Sequence, residues 1–227
     1  MARILIVITS QAQFGNSDQP TGFWLEELAT PYYVMQQAGH ELTLCSPLGG
    51  LVPVDPASCT DEQMTSIAQH FLQDAEAMSR LADTLPLSDI DAADYDAVFY
   101  PGGHGPLWDL HDHEHSISII ETMYAAGKPV ASVCHGPAVL LQAKADDGRP
   151  LAAGRRMTAF SNSEEHAVGL ADQVPYLLED ELTRQGAVFC KADDWSDHCV
   201  VDGNLISGQN PASSASVAQA VLDYLRD

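Results

Sequence analysis

The stretch PVASVCHGPAVLL, residues 129–141, decides the fold. Its apolar run over 130–133 predicts a buried strand, and the run over 138–143 predicts a helix directly afterwards. Between them, SVCHG is a small-x-nucleophile-x-small turn, the pattern of a nucleophile elbow with Cys134 in place of serine. A helix start carries partial positive charge and free N–H groups, so we expect a lowered pKa for this thiol. The alternative is a buried structural cysteine.

Strands and helices alternate on both sides of this stretch. Apolar runs predict further buried strands at residues 3–9, 41–46, 96–100, 156–161 and 187–191. This alternation predicts an α/β fold, a flavodoxin-like doubly wound and mostly parallel sheet with helices on both faces.

Two segments depart from the simple alternation. Residues 51–94 contain one predicted amphipathic helix, at 61–82, between prolines, and we interpret them as a small helical cap insertion in a single domain, 1–227. Residues 198–208 predict a late β-hairpin, because Asp202-Gly203 suits a tight turn between two apolar runs.

Composition excludes several classes of function. The 227 residues carry a net charge of −22, which argues against nucleic-acid partners because their phosphates would be repelled. No apolar run reaches the roughly 20 residues that span a bilayer, so we expect no membrane partner and, by default, a cytoplasmic protein. The five cysteines are odd in number and show no CxxC spacing, which argues against a disulfide framework or a zinc knuckle.

Two groups of residues flank the elbow as candidates for the site. Glycines directly after a strand let backbone N–H groups approach a ligand, so Gly102 and Gly103 are candidate oxyanion donors, with His104 beside them in the site or exposed in the turn. Glu164 and Glu165 follow another predicted strand, at the sheet edge where sites of parallel sheets form.

A metal site is a weaker hypothesis. HDHEH, residues 111–115, alternates imidazoles and carboxylates, but alternate residues share a face only on a strand, and this stretch predicts the start of a helix. No metal-ligand framework such as HExxH is present in the sequence. We therefore expect neither a metal nor a cofactor.

Taken together, TGFWLEEL, YPGGHG, SVCHGPAVL, TAFSNSEE and SGQNPASS resemble the ThiJ/PfpI superfamily, a branch of the class I glutamine amidotransferase-like fold. The resemblance covers nearly the whole chain. The insertion after the second strand and the hairpin before GQNPAS resemble the glyoxalase III branch, which includes heat-inducible holding chaperones.

The resemblance implies roles for particular residues. Cys134 matches the family nucleophile, and His135 matches the histidine that follows it. Glu165 matches the acidic partner of this histidine, with Glu164 as the alternative one residue away. Glu27, which without the resemblance reads as a solvated charge near a helix start, matches the buried glutamate held against the thiol, and the backbone of Gly103 matches the oxyanion hole.

We therefore expect a glutathione-independent glyoxalase III, a lyase that converts methylglyoxal to lactate, D-lactate by the resemblance. The alternatives are a PfpI-like cysteine peptidase or amidase, and a non-enzymatic chaperone or redox-stress protein. The expected partners are a small reactive aldehyde as substrate, a second copy of the chain in a homodimer, and unfolded client proteins.

Overall fold

The computed structural model describes residues 1–226. Within that range lie nine strands, β1 (Arg3–Val7), β2 (Glu41–Ser46), β3 (Leu85–Pro86), β4 (Ala97–Tyr100), β5 (Val130–Val133), β6 (Arg156–Met157), β7 (Val188–Phe189), β8 (Cys199–Asp202) and β9 (Leu205–Gly208). Seven of them form one sheet in the order β3-β2-β1-β4-β5-β9-β8, and only β8 is antiparallel to its neighbour.

Helices cover both faces of this sheet, as the sequence predicts. They are α1 (Leu25–Gln37), α2 (Ser66–Gln73), α3 (Ala75–Ala82), α4 (Pro106–Asp109), α5 (Glu114–Ala125), α6 (Asn162–Ala167), α7 (Leu178–Arg184) and α8 (Ser214–Tyr224). Apolar residues of α1, α2, α3 and α8 pack against one face, and those of α4, α5 and α7 against the other. Because both faces are covered, β4 and β5 are buried at every residue, which explains why seven of their eight residues are apolar and the exception, Ser132, is small. The flavodoxin-like fold is confirmed.

The order of the strands fixes where a site can form. From β1 the chain builds outward to β2 and β3 on one side, then returns to place β4 on the other side of β1. In open α/β sheets, ligands bind beyond the carboxyl ends of the strands at such a switch point. The segments that follow β1, β4 and β5 therefore meet at this edge.

The insertion at residues 51–94 is partly different from the prediction. The single helix predicted at 61–82 is two helices, because Asp74 has an extended backbone (φ −81°, ψ 105°) that ends α2. The Asp74 carboxylate then accepts hydrogen bonds from the first N–H groups of α3 and caps it. The insertion also supplies β3, which extends the main sheet at its edge.

Two predicted strands do not join the main sheet. The apolar runs at 156–161 and 187–191 yield only the two-residue strands β6 and β7, which pair with each other as a separate parallel ribbon. The helix predicted at 138–143 is also wrong, since residues Gly136–Leu140 form a tight 3₁₀ helix instead. The late hairpin is confirmed, but its turn is Gly203-Asn204, because Asp202 still pairs with Leu205.

Within the described part of the chain, no helix combines the length and the apolar character needed to cross a bilayer.

Candidate active site

Cys134 lies on the sharp turn that the sequence predicts. Its φ of 60° is in the left-handed region, which residues other than glycine rarely adopt. Its N–H donates to the carbonyl oxygen of Gly208 (2.9 Å), so β9 holds the turn in place. A Cβ atom at Gly136 would lie 2.4 Å from the carbonyl oxygen of Tyr100, so only glycine lets the chain turn this tightly against β4. The strained backbone is therefore fixed by its neighbours on both sides.

His135 links the thiol to a carboxylate. Its Nδ1 atom lies 3.4 Å from Sγ of Cys134, and its Nε2 atom lies 2.7 Å from Oε2 of Glu165. Burial, followed by the neighbouring His104, lowers the pKa of His135 below its ordinary value, so the ring is neutral at pH 7. Because a carboxylate only accepts, Nε2 carries the proton, and the lone pair of Nδ1 faces the thiol. This tautomer is the one that a general base needs.

Glu165 forms hydrogen bonds with two histidines, His135 and His104. It lies on α6, and its Oε1 atom is 2.9 Å from Nε2 of His104. Burial opposes ionisation of this carboxyl, but the charges and hydrogen bonds of His135 and His104 outweigh burial and hold its pKa well below the ordinary value. Glu165 is therefore an anion that orients both rings. His104, which the sequence leaves either in the site or exposed, is buried and contacts the ring of His135.

Glu27 is the second carboxyl that interacts with the site. It lies in the first turn of α1 and is fully buried, so the solvated interpretation is wrong. Its Oε2 atom accepts a hydrogen bond from the N–H of Gly102 (2.7 Å), and the carboxyl also interacts with the side chain of Cys134. Burial raises the pKa of Glu27 to about 8, so it carries a proton at neutral pH.

The pKa of the Cys134 thiol differs from the sequence prediction. Burial, followed by the nearby Glu27 carboxyl, raises it well above its ordinary value, although the N–H of Gly103 acts in the lowering direction. The expected helix-start effect is outweighed because the turn is enclosed and is followed by a short 3₁₀ helix rather than a full α-helix. The resting group is therefore a thiol that needs a base, and Nδ1 of His135 is in position to be that base.

The two candidate oxyanion donors differ in whether their N–H groups are available to a ligand. The N–H of Gly102 donates to Glu27, so it is not free for substrate and the prediction for Gly102 is wrong. The N–H of Gly103 interacts with the Cys134 side chain and also borders the open cavity. Gly103 has a φ of 83°, and a Cβ atom there would lie 2.3 Å from the carbonyl oxygen of Gly22, so glycine is required.

Glu164 is buried beside Glu165 but turns away from the histidines. Its Oε2 atom accepts from the N–H and hydroxyl of Ser161, which completes a capping box at the start of α6. Its Oε1 atom accepts from the side chains of Gln209 and Asn210 and from the N–H of Trp195. Glu164 therefore ties α6 to the loop that bears Trp195.

A cavity of about 470 Å³ opens onto Cys134. Its lining residues are Trp24, Gln63, Gly103, His104, Cys134, His135, Phe160, Val168, Trp195, Asn210, Pro211 and Ala212. The sequence motifs assign no role to Trp24, Phe160 or Trp195, although Trp24 lies in TGFWLEEL, Phe160 in TAFSNSEE and Trp195 just before the late hairpin. The insertion at 51–94 contributes only Gln63 to this lining, so the wall of the cavity comes mainly from the core of the domain.

A metal ion has one candidate position in the part of the chain that the structure describes. Nitrogen and oxygen atoms of His104, His135 and Glu165 lie within 4.8 Å of one another. These same atoms form the hydrogen bonds described above, so the cluster is complete as a histidine–carboxylate network. HDHEH provides no such cluster, and its His113 is the N-cap residue of α5, as expected for a helix start.

Comparisons with known proteins agree with this architecture. The glutathione-independent glyoxalase HSP31 of Saccharomyces cerevisiae is 30% identical over 99% of this chain and 98% of its own length. Among solved structures, the rapid encystment protein of 24 kDa from Francisella tularensis superposes with a TM-score of 0.95 at 35% identity, covering 99% of both chains. Glyoxalase III from Candida albicans superposes with a TM-score of 0.91 at 27% identity, covering 98% of this chain and 97% of its own.

The family model described as DJ-1/PfpI matches residues 20–224, a range that contains α1, the elbow and the segment with Glu165. A match over most of the chain, together with the full-length relatives, confirms the resemblance drawn from the sequence motifs. The chain belongs to the DJ-1/PfpI family.

Proposed function

We propose that this protein is a glutathione-independent glyoxalase III that converts methylglyoxal to lactate with Cys134, His135, Glu165 and Glu27. The observation that carries the proposal is the pair of ionisable groups next to the thiol. A neutral imidazole supported by an anionic Glu165 lies 3.4 Å from Sγ, and the protonated carboxyl of Glu27 is the second group that interacts with the thiol. A base and an acid near one reacting centre are what an internal proton transfer between adjacent carbons needs.

The first step forms a bond between Sγ of Cys134 and the aldehyde carbon C1. Nδ1 of His135 takes the thiol proton as the bond forms and returns it to the new C1 oxyanion, giving a neutral hemithioacetal. The N–H of Gly103 stabilises the oxyanion while it exists, because it is a fixed donor in an enclosed site. No glutathione is needed, because the enzyme supplies the thiol.

The second step moves hydrogen from C1 to C2. Nδ1 of His135 removes the C1 proton while the carboxyl of Glu27 donates to the C2 oxygen, which gives an enediol. The protonated His135 then delivers a proton to C2, and the C1 hydroxyl returns a proton to Glu27, which leaves a thioester. Both residues recover their starting protonation states.

Water completes the reaction. His135 takes a proton from the water that attacks the thioester carbon, and the C–S bond breaks. The departing sulfur receives that proton, so lactate leaves and the free thiol of Cys134 is restored. One water is consumed for each methylglyoxal, as the formula of lactate requires.

Lactate formation from methylglyoxal in buffer free of glutathione and metal tests this proposal. We expect the parent protein to form lactate and Cys134→Ala to form none. Cys45→Ala is the matched control, since Cys45 is also buried but donates only to the carbonyl oxygen of Ile6. Release of amine from a peptide-amide panel without lactate from methylglyoxal would instead support the cysteine hydrolase.

A second candidate function is the holding of unfolded proteins. Leu48 and Leu51 are 80% and 76% exposed, and an antiparallel bridge between Gly50 and Thr84 places the half-exposed Leu85 opposite Gly49, the residue after Leu48. Exposed apolar side chains grouped in this way are typical of protein contact sites. The double variant Leu48→Ser, Leu51→Ser should keep lactate formation but lose suppression of client aggregation, measured by light scattering.

The same variant tests the proposed homodimer. If the parent is a dimer by light scattering after gel filtration and the variant is a monomer, then the leucines form the contact between two copies. We also propose a cytoplasmic location, on the argument that all five cysteines are free thiols, which a reducing compartment preserves.

A further inference from the structure

The cavity in front of Cys134 is larger than methylglyoxal requires. Methylglyoxal has five non-hydrogen atoms. If each atom takes up as much space as one molecule of liquid water, about 30 Å³, the substrate fills roughly 150 Å³ at most. The cavity measures about 470 Å³ and is enclosed mainly by Trp24, Phe160, Val168, Trp195 and Pro211 together with the reactive groups. Most of its apolar wall would therefore be untouched by a substrate with a single methyl group.

The geometry at Cys134 decides where a larger substituent would extend. The Glu27 side is closed, because Glu27 is fully buried and the space at Gly102 is bounded by atoms 2.7–2.8 Å from a Cβ position. The oxyanion of the adduct points to the N–H of Gly103. The remaining direction is the open cavity, where the ring of Phe160 lies 4.5 Å from that of His135 and 5.7 Å from that of Trp195.

Trp195 is held in this position at a cost in free energy. Its φ of 63° makes it, with Cys134, one of two residues other than glycine with positive φ among those described. Its side chain is 48% exposed, so burial of the ring does not explain the conformation. Backbone strain at residues other than glycine is concentrated at active sites and ligand contacts.

Hydrogen bonds centred on Glu164 hold Trp195 in its left-handed backbone conformation. Oε1 of Glu164 accepts the N–H of Trp195 (2.9 Å) and is itself fixed by Asn210 (2.8 Å) and Gln209 (3.1 Å). Glu164 is fully buried, so these donors compensate a buried carboxylate at the base of the loop. The network positions an exposed indole at the mouth of the cavity.

Charge restricts the ligand further. No lysine or arginine is among the cavity-lining residues within 1–226, and the whole chain carries a net charge of −22. An anionic substituent would find no counter-charge and would be repelled over a long range. Aromatic side chains instead favour flat apolar groups, which they contact by edge-to-face or offset stacking.

We propose that Trp195 and Phe160 form a subsite for the substituent of the aldehyde, and that the enzyme prefers uncharged α-oxoaldehydes with an aromatic or bulky apolar group over methylglyoxal. This inference rests on the proposed function, because it uses the same hemithioacetal at Cys134. Trp195 determines specificity by contact with the substituent and takes no part in the proton transfers.

Phenylglyoxal, which carries an aromatic ring in place of the methyl group, tests the inference. Mandelate from phenylglyoxal and lactate from methylglyoxal are measured for the parent, Trp195→Phe and Trp195→Asn, and kcat/KM is compared. Asparagine tolerates a left-handed backbone, so Trp195→Asn removes the ring without adding strain. Val201→Ala is the control, because Val201 is an equally exposed apolar residue on β8 and does not line the cavity.

The quantity that decides is the ratio of kcat/KM for phenylglyoxal to that for methylglyoxal. In the parent we expect this ratio to exceed 1, and Trp195→Asn should lower it about tenfold with little change for methylglyoxal, which corresponds to about 1.4 kcal/mol. Trp195→Phe should retain most of the ratio, and Val201→Ala all of it.

Two outcomes would overturn this inference alone. A parent ratio below 1 would contradict the preference for the larger substituent. An unchanged ratio in folded Trp195→Asn would show that Trp195 does not contact the substituent. Failure of the parent to convert either aldehyde would be different, since it would remove the proposed function itself. The two failures are therefore distinguishable in one set of assays.

Discussion

Two buried glutamates interact with Cys134, Glu27 directly and Glu165 through His135, and they differ in charge. Glu27, on α1, has a pKa raised to about 8 by burial and is protonated at neutral pH. Glu165, on α6, is almost as deeply buried, but two histidines hold its pKa well below the ordinary value. Residue type and burial are nearly the same, so the partners alone decide which carboxyl is an acid and which is an anion.

In the proposed mechanism this difference assigns the base to the Glu165 side of the site and the acid to the Glu27 side. The Glu165 side has N–H donors from His135 and His104, which favour negative charge and leave a base facing the thiol. The Glu27 side has one backbone N–H and a thiol, which do not compensate a buried charge. Pairs of titratable groups whose environments separate their pKa values are typical of acid–base catalysis.

The largest effect should come from removing the anion. Glu165→Gln should lower kcat/KM for methylglyoxal by roughly 10³-fold or more, because the amide can stabilise the wrong tautomer of His135 and no longer supports its charged form. Steady-state lactate formation measures this effect. Glu76→Gln, an exposed change on α3, is the control for loss of a carboxylate as such. Equal small losses in both variants would contradict the assignment of Glu165.

Removing the acid should have the next largest effect. Glu27→Gln should lower turnover by roughly 10²-fold, the lower range of general acid–base contributions, while Cys134 still forms its aldehyde adduct. In the parent, activity should decline as the pH rises through about 8, because Glu27 then loses its proton. Mass spectrometry of the adduct and a pH–rate profile test both statements. Turnover at the parent rate would exclude this proton route.

Stability should distinguish the two carboxyls by the sign of its pH dependence. The unfolded chain releases the Glu27 proton near the ordinary pKa of 4.5, whereas the folded protein keeps it up to about 8, so raising the pH between these values destabilises the fold. Replacing Glu27 by Gln should remove on the order of 3 kcal/mol of this decline between pH 5 and 8. Urea unfolding at both pH values measures the difference.

The Glu165 contribution should have the opposite sign. Its lowered pKa stabilises the folded state above the ordinary pKa of a glutamate, and this contribution is lost as the solution is acidified. Glu165→Gln should therefore flatten the acid side of the stability profile and leave in place the decline that Glu27 causes between pH 7 and 8, where His135 is neutral in the folded protein. If Glu27→Gln and Glu165→Gln changed the pH dependence of the free energy of unfolding in the same direction, the two carboxyls would not have opposite pKa shifts.

The smallest effect on activity should follow when the Glu165 carboxylate is kept but loses one of its hydrogen bonds. His104→Ala deletes one of the two hydrogen bonds to Glu165, so kcat should fall roughly tenfold, as expected for one bond to a charged group. His104→Gln keeps a donor and should recover most of the activity. A rise in KM that exceeds the fall in kcat would indicate that His104 binds substrate instead of positioning Glu165.

The sequence was informative wherever a residue's role follows from its immediate neighbours along the chain. The elbow at Cys134 is local, because a buried strand followed by a nucleophile and, two residues later, a glycine is the pattern of a sharp turn, and Cys134 has the positive φ of such a turn. The mainly apolar runs of β4 and β5 likewise indicate strands buried on both faces, and such strands predict the doubly wound sheet. Family motifs predict roles at the site for Glu27 and Glu165, which lie 107 and 31 residues from Cys134 along the chain.

What the sequence did not determine depends on contacts between distant segments. The charge of Glu27, the occupied N–H of Gly102 and the raised pKa of Cys134 all arise from burial at the junction of α1, β4 and β5. The position of Trp195 depends on Glu164, 31 residues earlier in the chain, and on Asn210. Local patterns fix backbone turns because sterics act between neighbouring residues, but desolvation and hydrogen-bond partners exist only after folding, so only the tertiary structure decides them.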